Sequence, residues 1–406
     1  MKRLAIVALP IILLIAAVPA SAAIFGTDPV PISVTAGGGA ANGPSGGPAI
    51  SGDDREGRYV AFHSEATNLI PGDTNDETDV FLYERPEGER GTSGLDDGPA
   101  RPAGELKRIS IGTGEQQGDG RSLDPEVSGS VQDGPRCVVF RSRATNLSEH
   151  DDDDDYDIYV RDLRYESTRL LSRGVRGHAT NPTIDGDCRK VAFEAGRYVY
   201  TANARADGRK PRRFTRGHNP DYALDGNAIV WERGSRVYLR RAGRTTRVAG
   251  NGSDPAVSDS GSSRRWAVVF DTRSGITRGD RDRDWDVYMR VFDSKGQRGR
   301  TKLISAYSGS SRSLRGDSFN GGITPYAWDR GIVTFVRTSG RTSDVYYRNL
   351  NSDNIDDLAH ATSDSSRRPA IKDLASSARA NFIAFSSPAM TSQDVLFKHL
   401  IDGEEL

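Results

Sequence analysis

The sequence predicts an all-β protein, a seven-bladed β-propeller closed by its own N-terminal strand, and three observations carry that reading. Apolar residues fall in short strand-length runs separated by Gly, Asp and Asn, with no amphipathic helical period beyond the N-terminal segment. A three-strand unit recurs seven times along the chain. The fourth strand missing from the last unit stands at the opposite end of the chain.

Each unit opens on a proline and a short apolar strand, continues with an apolar strand ending in an aromatic, and closes with an aromatic strand, usually led by Asp. The first reads Gly47-Pro48-Ala49-Ile50-Ser51, then Tyr59-Val60-Ala61-Phe62, then Asp79-Val80-Phe81-Leu82-Tyr83. Later units restart at Pro125, Pro182, Pro220, Pro255, Pro325 and Pro369, with second-strand aromatics Phe140, Phe193, Trp231, Phe270, Phe335 and Phe385. Third strands begin near Asp157, Tyr198, Val237, Asp286, Asp344 and Asp394. Radial repetition buries the faces of such units against their neighbours and leaves an inner strand of each along a central channel. Arg108-Ile109-Ser110-Ile111-Gly112 is a fourth strand leading to the second unit, and Pro31-Ile32-Ser33-Val34-Thr35 has the same form. The last unit stops soon after its third strand, so the N-terminal strand is expected to complete it, because an open ring would leave an unpaired edge.

Lys2 and Arg3, the apolar run Leu4 to Val18 and the small residues Ala20-Ser21-Ala22 form the pattern of a secretory signal peptide. The expected organisation is a signal peptide over residues 1–22 and one propeller domain over 23–406. After cleavage the chain is not membrane-spanning, and it is secreted or extracytoplasmic, in the periplasm or cell envelope. The net charge of −1, from 55 Lys+Arg and 56 Asp+Glu, gives no global field and argues against nucleic acid as a partner. Locally the balance swings. Residues 51–100 hold 13 acids and 4 bases, and residues 197–250 hold 13 bases and 4 acids. Two cysteines, Cys137 and Cys188, permit one disulfide in an exported chain or two buried thiols.

The stretch from Gly57-Arg58-Tyr59-Val60-Ala61-Phe62 through Ser64-Glu65-Ala66-Thr67-Asn68-Leu69, Gly72-Asp73-Thr74-Asn75 and Asp79-Val80-Phe81 resembles the repeat of exported bacterial TolB-like β-propellers, relatives of WD-type blades. Cys137 to Leu163 repeats it, with Ala144-Thr145-Asn146-Leu147 intact. The resemblance implies an extracytoplasmic binding scaffold without chemistry of its own.

Three units carry a long acidic loop before the third strand, with oxygen side chains at alternate positions: Asp73, Asn75, Glu77 and Asp79; Asp151, Asp153, Asp155 and Asp157; Asp280, Asp282, Asp284 and Asp286. Alternate oxygen ligands around one point suit a hard cation, and calcium is the expected ion. Units six and seven keep the final Asp, as Asp344 and Asp394, without the upstream acids, so the final Asp is read as structural as well, and the upstream acids are the ones a cation would explain, with all twelve positions as candidate ligands. None of the histidines forms a zinc-hydrolase spacing, although His178 and His218 recur just before an inner strand. No catalytic residue is assigned. The expected function is a monomeric, non-catalytic scaffold that binds a protein or an anionic cell-envelope polymer, with calcium as its stabilising ion. The alternative is a propeller enzyme acting on sugars or lactones through a channel metal held by His178 and His218.

Overall fold

The computed structural model describes residues 29–52, 57–85, 104–130, 134–151, 153–206, 208–259, 265–293, 298–323, 331–362, 371, 373–376, 382–388 and 393–399. The signal segment lies outside them, as do Pro325 and Pro369.

The chain forms seven antiparallel four-stranded sheets. Blade I is β2 (Ser45–Ile50), β3 (Tyr59–Ser64), β4 (Asp79–Glu84) and β5 (Glu105–Arg108). Blade II is β6 (Ser122–Val127), β7 (Cys137–Ser142), β8 (Asp157–Asp162) and β9 (Ser167–Leu170). Blade III is β10 (Ala179–Ile184), β11 (Lys190–Ala195), β12 (Tyr198–Asn203) and β13 (Arg212–Arg216). Blade IV is β14 (His218–Tyr222), β15 (Ala228–Arg233), β16 (Arg236–Arg241) and β17 (Arg244–Ala249). Blade V is β18 (Ser253–Val257), β19 (Trp266–Thr272), β20 (Asp286–Phe292) and β21 (Arg298–Leu303). Blade VI is β22 (Asp317–Ile323), β23 (Ile332–Ser339), β24 (Thr342–Asn349) and β25 (Ile355–Thr362). Blade VII is β26 (Leu374–Ser376), β27 (Phe382–Pro388), β28 (Gln393–His399) and, as its fourth strand, β1 (Val30–Pro31). Neighbouring inner strands touch all the way round, and β26 returns to β2.

Blade VII joins the two ends of the chain. Val30 pairs with Phe397 and Pro31 with Leu396. Ile32 then packs with Phe382, Val395 and Phe397 of blade VII and Val60 and Phe62 of blade I in one buried cluster. Losing either end would open that core to water, at roughly 25 cal/mol for each Å² of apolar surface exposed.

The repeated aromatics explain the packing. Phe62 opposes Phe81, Phe140 opposes Tyr159, Phe193 opposes Tyr200, Trp231 opposes Tyr238, Phe270 opposes Tyr288 and Phe335 opposes Tyr346. Each pair is stacked with ring centroids between 5.6 and 6.1 Å, as in Phe62–Phe81 at 5.9 Å and Phe270–Tyr288 at 6.1 Å. Cys137 and Cys188 form a disulfide with a Cα–Cα distance of 6.0 Å, joining the start of β7 to the turn before β11. The bridge therefore ties blade II to blade III.

Every inner strand of blades I to VI carries a bulge at one position, where the chain enters the left-handed region: Gly47, Asp124, Asn181, Asn219, Asp254 and Asn320. Asn and Asp tolerate this conformation and Gly adopts it freely. At Gly47 no side chain would fit in any case, since a Cβ there would lie 2.7 Å from the His63 ring. In blade VI the bulge is Asn320-Gly321, so the inner strand lies upstream of the position that Pro325 marks in the sequence pattern. In blade VII it follows Pro369 and begins at Leu374.

Candidate cation sites and the channel

Each acidic loop runs from the second strand of its blade to the third and lies against the segment leading to the next blade. Its final Asp opens the third strand and is held by a serine just past the end of the fourth strand. Ser110 donates to Asp79, Ser172 to Asp157 and Ser305 to Asp286 at 2.6 Å, while each serine oxygen accepts the next backbone N–H, from Val80, Ile158 and Val287. Blade VII repeats the latch with Asp394 and Ser33, the latter supplied by the N-terminal segment. A role for the final Asp in anchoring its strand thus recurs where no acidic loop exists.

The upstream acids differ between blades. In blade V, Asp280, Asp282 and Asp286 each bring a carboxylate oxygen within 4.8 Å of the others, and in blade II Asp151, Asp153 and Asp157 do the same. Asp155 and Asp284 stand outside those triads. The Asp155 carboxylate lies 3.1 Å from His178 Nδ1, and Asp284 Oδ2 accepts from the Gly316 N–H at 3.1 Å. Tyr288 donates its hydroxyl to Asp280 at 2.6 Å, and Tyr159 donates to Asp151 in the same way. Asp280 Oδ1 and Asp286 Oδ2 are buried with no hydrogen-bond partner among the described residues. Asp280 is 7% exposed and Asp286 fully buried, so both oxygens face a desolvation cost that nothing nearby offsets. Burial first, then the neighbouring acids, push the Asp286 carboxyl up to about 7 and Asp157 up to about 6.

Blade I has the same loop with a different partner. The Arg108 guanidinium sits 3.3 Å from Asp73 Oδ2 and 3.2 Å from Asp79 Oδ2, as charge contacts without aligned N–H bonds. Gln117 Nε2 donates to Asp73 Oδ1 at 2.8 Å and to Asp79 Oδ2 at 3.0 Å. Asn75 turns its amide outward to the Gly118 carbonyl at 2.8 Å, and its Oδ1 accepts from the Glu77 N–H at 3.1 Å. Arg108 and Gln117 carried no signal in the sequence reading, because neither lies within the acidic run.

The inner strands surround a channel of about 550 Å³ lined by Asp124, Glu126, Asp221, Asp254 and Asp373 among others. Enclosure by the ring, then Asp221 and Asp124, push the Glu126 carboxyl up to about 8, although its side chain meets channel solvent. Burial pushes Asp221 up to about 7 and raises Asp254. Arg141 pairs with Asp124 at 2.8 Å, and burial holds His63, beside the bulge of β2, below its ordinary value. Neither recurrent histidine lines this channel. His178 Nδ1 accepts the Tyr156 N–H at 3.0 Å, and His218 Nδ1 lies 3.6 Å from Glu194.

No family model and no curated protein matches the sequence. Among solved structures the chain is similar to an oligogalacturonate lyase in complex with manganese, at 9% identity over 93% of this chain and 97% of that one, with a TM-score of 0.55. It is similar to a prolyl endopeptidase at 11% identity over 88% of this chain, with a TM-score of 0.52, and spans 47% of that protein. It is also similar to TolB from Acinetobacter baumannii at 15% identity, over 66% of this chain and 64% of that one, with a TM-score of 0.41. The chain thus spans less than two thirds of that TolB and about half of the endopeptidase. The likeness is one of fold, that of a seven-bladed β-propeller.

Proposed function

We propose that this protein is an extracytoplasmic, non-catalytic binding module that docks an anionic cell-envelope polymer on blades III and IV, with its acidic loops in blades II and V stabilised by calcium. The observation that carries the docking surface is an uncompensated basic edge. Arg212, Arg213 and Arg216 are exposed on β13, and Arg244 and Arg247 on β17, the outermost strands of adjacent blades. None of these five has an ion-pair partner among the described residues. Of the acids in this segment, Asp221 lines the channel and Glu232 accepts from Asn219 at 2.7 Å, so neither neutralises that edge. Ring contacts organise the guanidinium groups: Arg213 lies 4.7 Å above the Tyr198 ring and Arg240 5.6 Å from that of Phe214. Arg planes suit carboxylate and phosphate groups in two-pronged contacts.

Export is supported by the signal-like N-terminus and by the disulfide, which persists in oxidising compartments. Calcium is supported by the all-oxygen donor triads and by the orphaned oxygens of Asp280 and Asp286. A non-catalytic reading is supported by the position of both triads in loops between the second and third strands of their blades, with no triad acid among the channel-lining residues.

Binding of the purified protein to immobilised poly(glycerol phosphate) and polyglutamate tests the surface. Micromolar or tighter binding that weakens with salt, and falls at least tenfold in an Arg212→Gln/Arg213→Gln/Arg244→Gln/Arg247→Gln variant, is expected. Equal binding by that variant, or none to either polymer at low salt, would contradict the docking assignment.

A further inference from the structure

The three acidic loops share a backbone plan, yet the residues facing them change together. The third-strand aromatic pairs with one residue of the fourth strand in each blade: Phe81 with Arg108, Tyr159 with Leu170, and Tyr288 with Leu303. Where the aromatic carries a hydroxyl, it donates to the first Asp of the loop, and the fourth-strand residue is a buried leucine. Where the hydroxyl is absent, the fourth-strand residue is an arginine whose guanidinium lies between the first and last Asp. Arg108 is itself buried, with 8% of its side chain exposed, beside Asp73 at 1% and Asp79 at 0%. A buried carboxylate pair needs a positive charge close by. Blade I has one built into the chain. In blade V the leucine supplies none, and Asp280 Oδ1 and Asp286 Oδ2 are left without partners.

We infer that Arg108 is a covalent counter-ion, its guanidinium holding in blade I the place that a divalent cation takes between Asp280 and Asp286 in blade V. This deepens the calcium reading given above and rests on it. Blade I then clamps to the entrance of blade II without any ion, through Arg108, Gln117 and Asn75. Blade V clamps to the entrance of blade VI through the ion together with Ser313, which donates to Asp282 at 3.0 Å. The cation requirement of each loop is set by two residues of the adjoining strands, the aromatic and its fourth-strand partner. The first and last Asp are common to both loops, and the position of Asp282 is held in blade I by Asn75, whose amide oxygen is a neutral donor.

The assignment is tested by exchanging those two residues and counting calcium ions per chain by equilibrium dialysis and titration calorimetry. The Phe81→Tyr/Arg108→Leu protein should bind one calcium more than the wild type, and Tyr288→Phe/Leu303→Arg one fewer. A forward variant that folds only with calcium present supports the inference equally, and the reverse exchange, which should remain folded in chelator, reads it independently. Unchanged stoichiometry in both exchanged proteins, with the wild type binding calcium, would overturn the role of Arg108 while leaving the calcium reading intact. A wild type that binds no calcium at all would overturn the calcium reading itself.

Discussion

Blades I and V solve one electrostatic problem in two ways. Each turns alternate oxygen-bearing side chains, acidic at the first and last positions, against the segment leading to the next blade, and each anchors its last Asp with a serine, yet blade I carries its positive charge on Arg108 and blade V places Leu303 at that register position. The difference teaches that an acidic repeat does not by itself define an ion site. What decides is whether the surrounding strands already neutralise it.

Removing Arg108 should have the largest effect. Arg108→Leu leaves Asp73 and Asp79 buried together, and breaking a buried pair from one side costs about 3–5 kcal/mol. Thermal melts in chelator should show that loss, with recovery on adding calcium. Leu303→Val, at the same register position, should cost only the price of a small core trim and leave the calcium response in place. In the wild-type protein, going from chelator to a hundredfold excess over the dissociation constant should add about 2.7 kcal/mol per site. Asp280→Asn/Asp282→Asn should remove blade V's share of that gain, whereas Asp73→Asn should remove none of it. A calcium response unchanged by the first pair would place the ion elsewhere.

A smaller change sharpens the contrast. Tyr288→Phe deletes the hydroxyl that donates to Asp280, at about 1 kcal/mol for a typical hydrogen bond, and should weaken calcium binding a few-fold. Phe81 lacks that hydroxyl already, so Phe81→Tyr alone should leave calcium binding unchanged while Arg108 is present.

The channel supplies the smallest effect, and one that the exchange of residues between blades should not alter. Glu126, with its carboxyl up at about 8, and Asp221, at about 7, hold protons in the folded state that the unfolded chain has released above the ordinary carboxylate range. The folded state therefore binds more protons across that window, and stability falls as pH rises. In chelator, the melting temperature should climb as pH drops from about 8 toward 5. Glu126→Gln should flatten part of that climb, and a slope unaffected by it would remove Glu126 as a source.

Much of this was legible in the sequence because periodic hydrophobic and aromatic positions must repeat wherever blades pack alike. The second- and third-strand aromatics, the ring closure through Ile32 and Ser33, and the anchoring final Asp all follow from repetition. Pro325 misplaces the inner strand of blade VI because the bulge needs a left-handed residue and not the proline after it, and Asn320-Gly321 supplies that. Arg108 was hidden for a different reason. It lies 29 residues beyond Asp79, at the end of an otherwise ordinary strand, and only the register pairing with Phe81 brings it to the loop. Two cysteines alone fit either one disulfide or two buried thiols, and it is the turn before β11, bringing Cys188 beside Cys137, that makes the bridge.

The claim that cation demand is set by the strands around each loop is tested most directly by a crystal structure grown in calcium, with the ion located by its anomalous signal. The account predicts an ion bound by Asp280 and Asp286 at about 2.3–2.6 Å, with Arg108 still lying between Asp73 and Asp79. An ion between Asp73 and Asp79 with Arg108 displaced, or a blade V loop holding only water at saturating calcium, would contradict it.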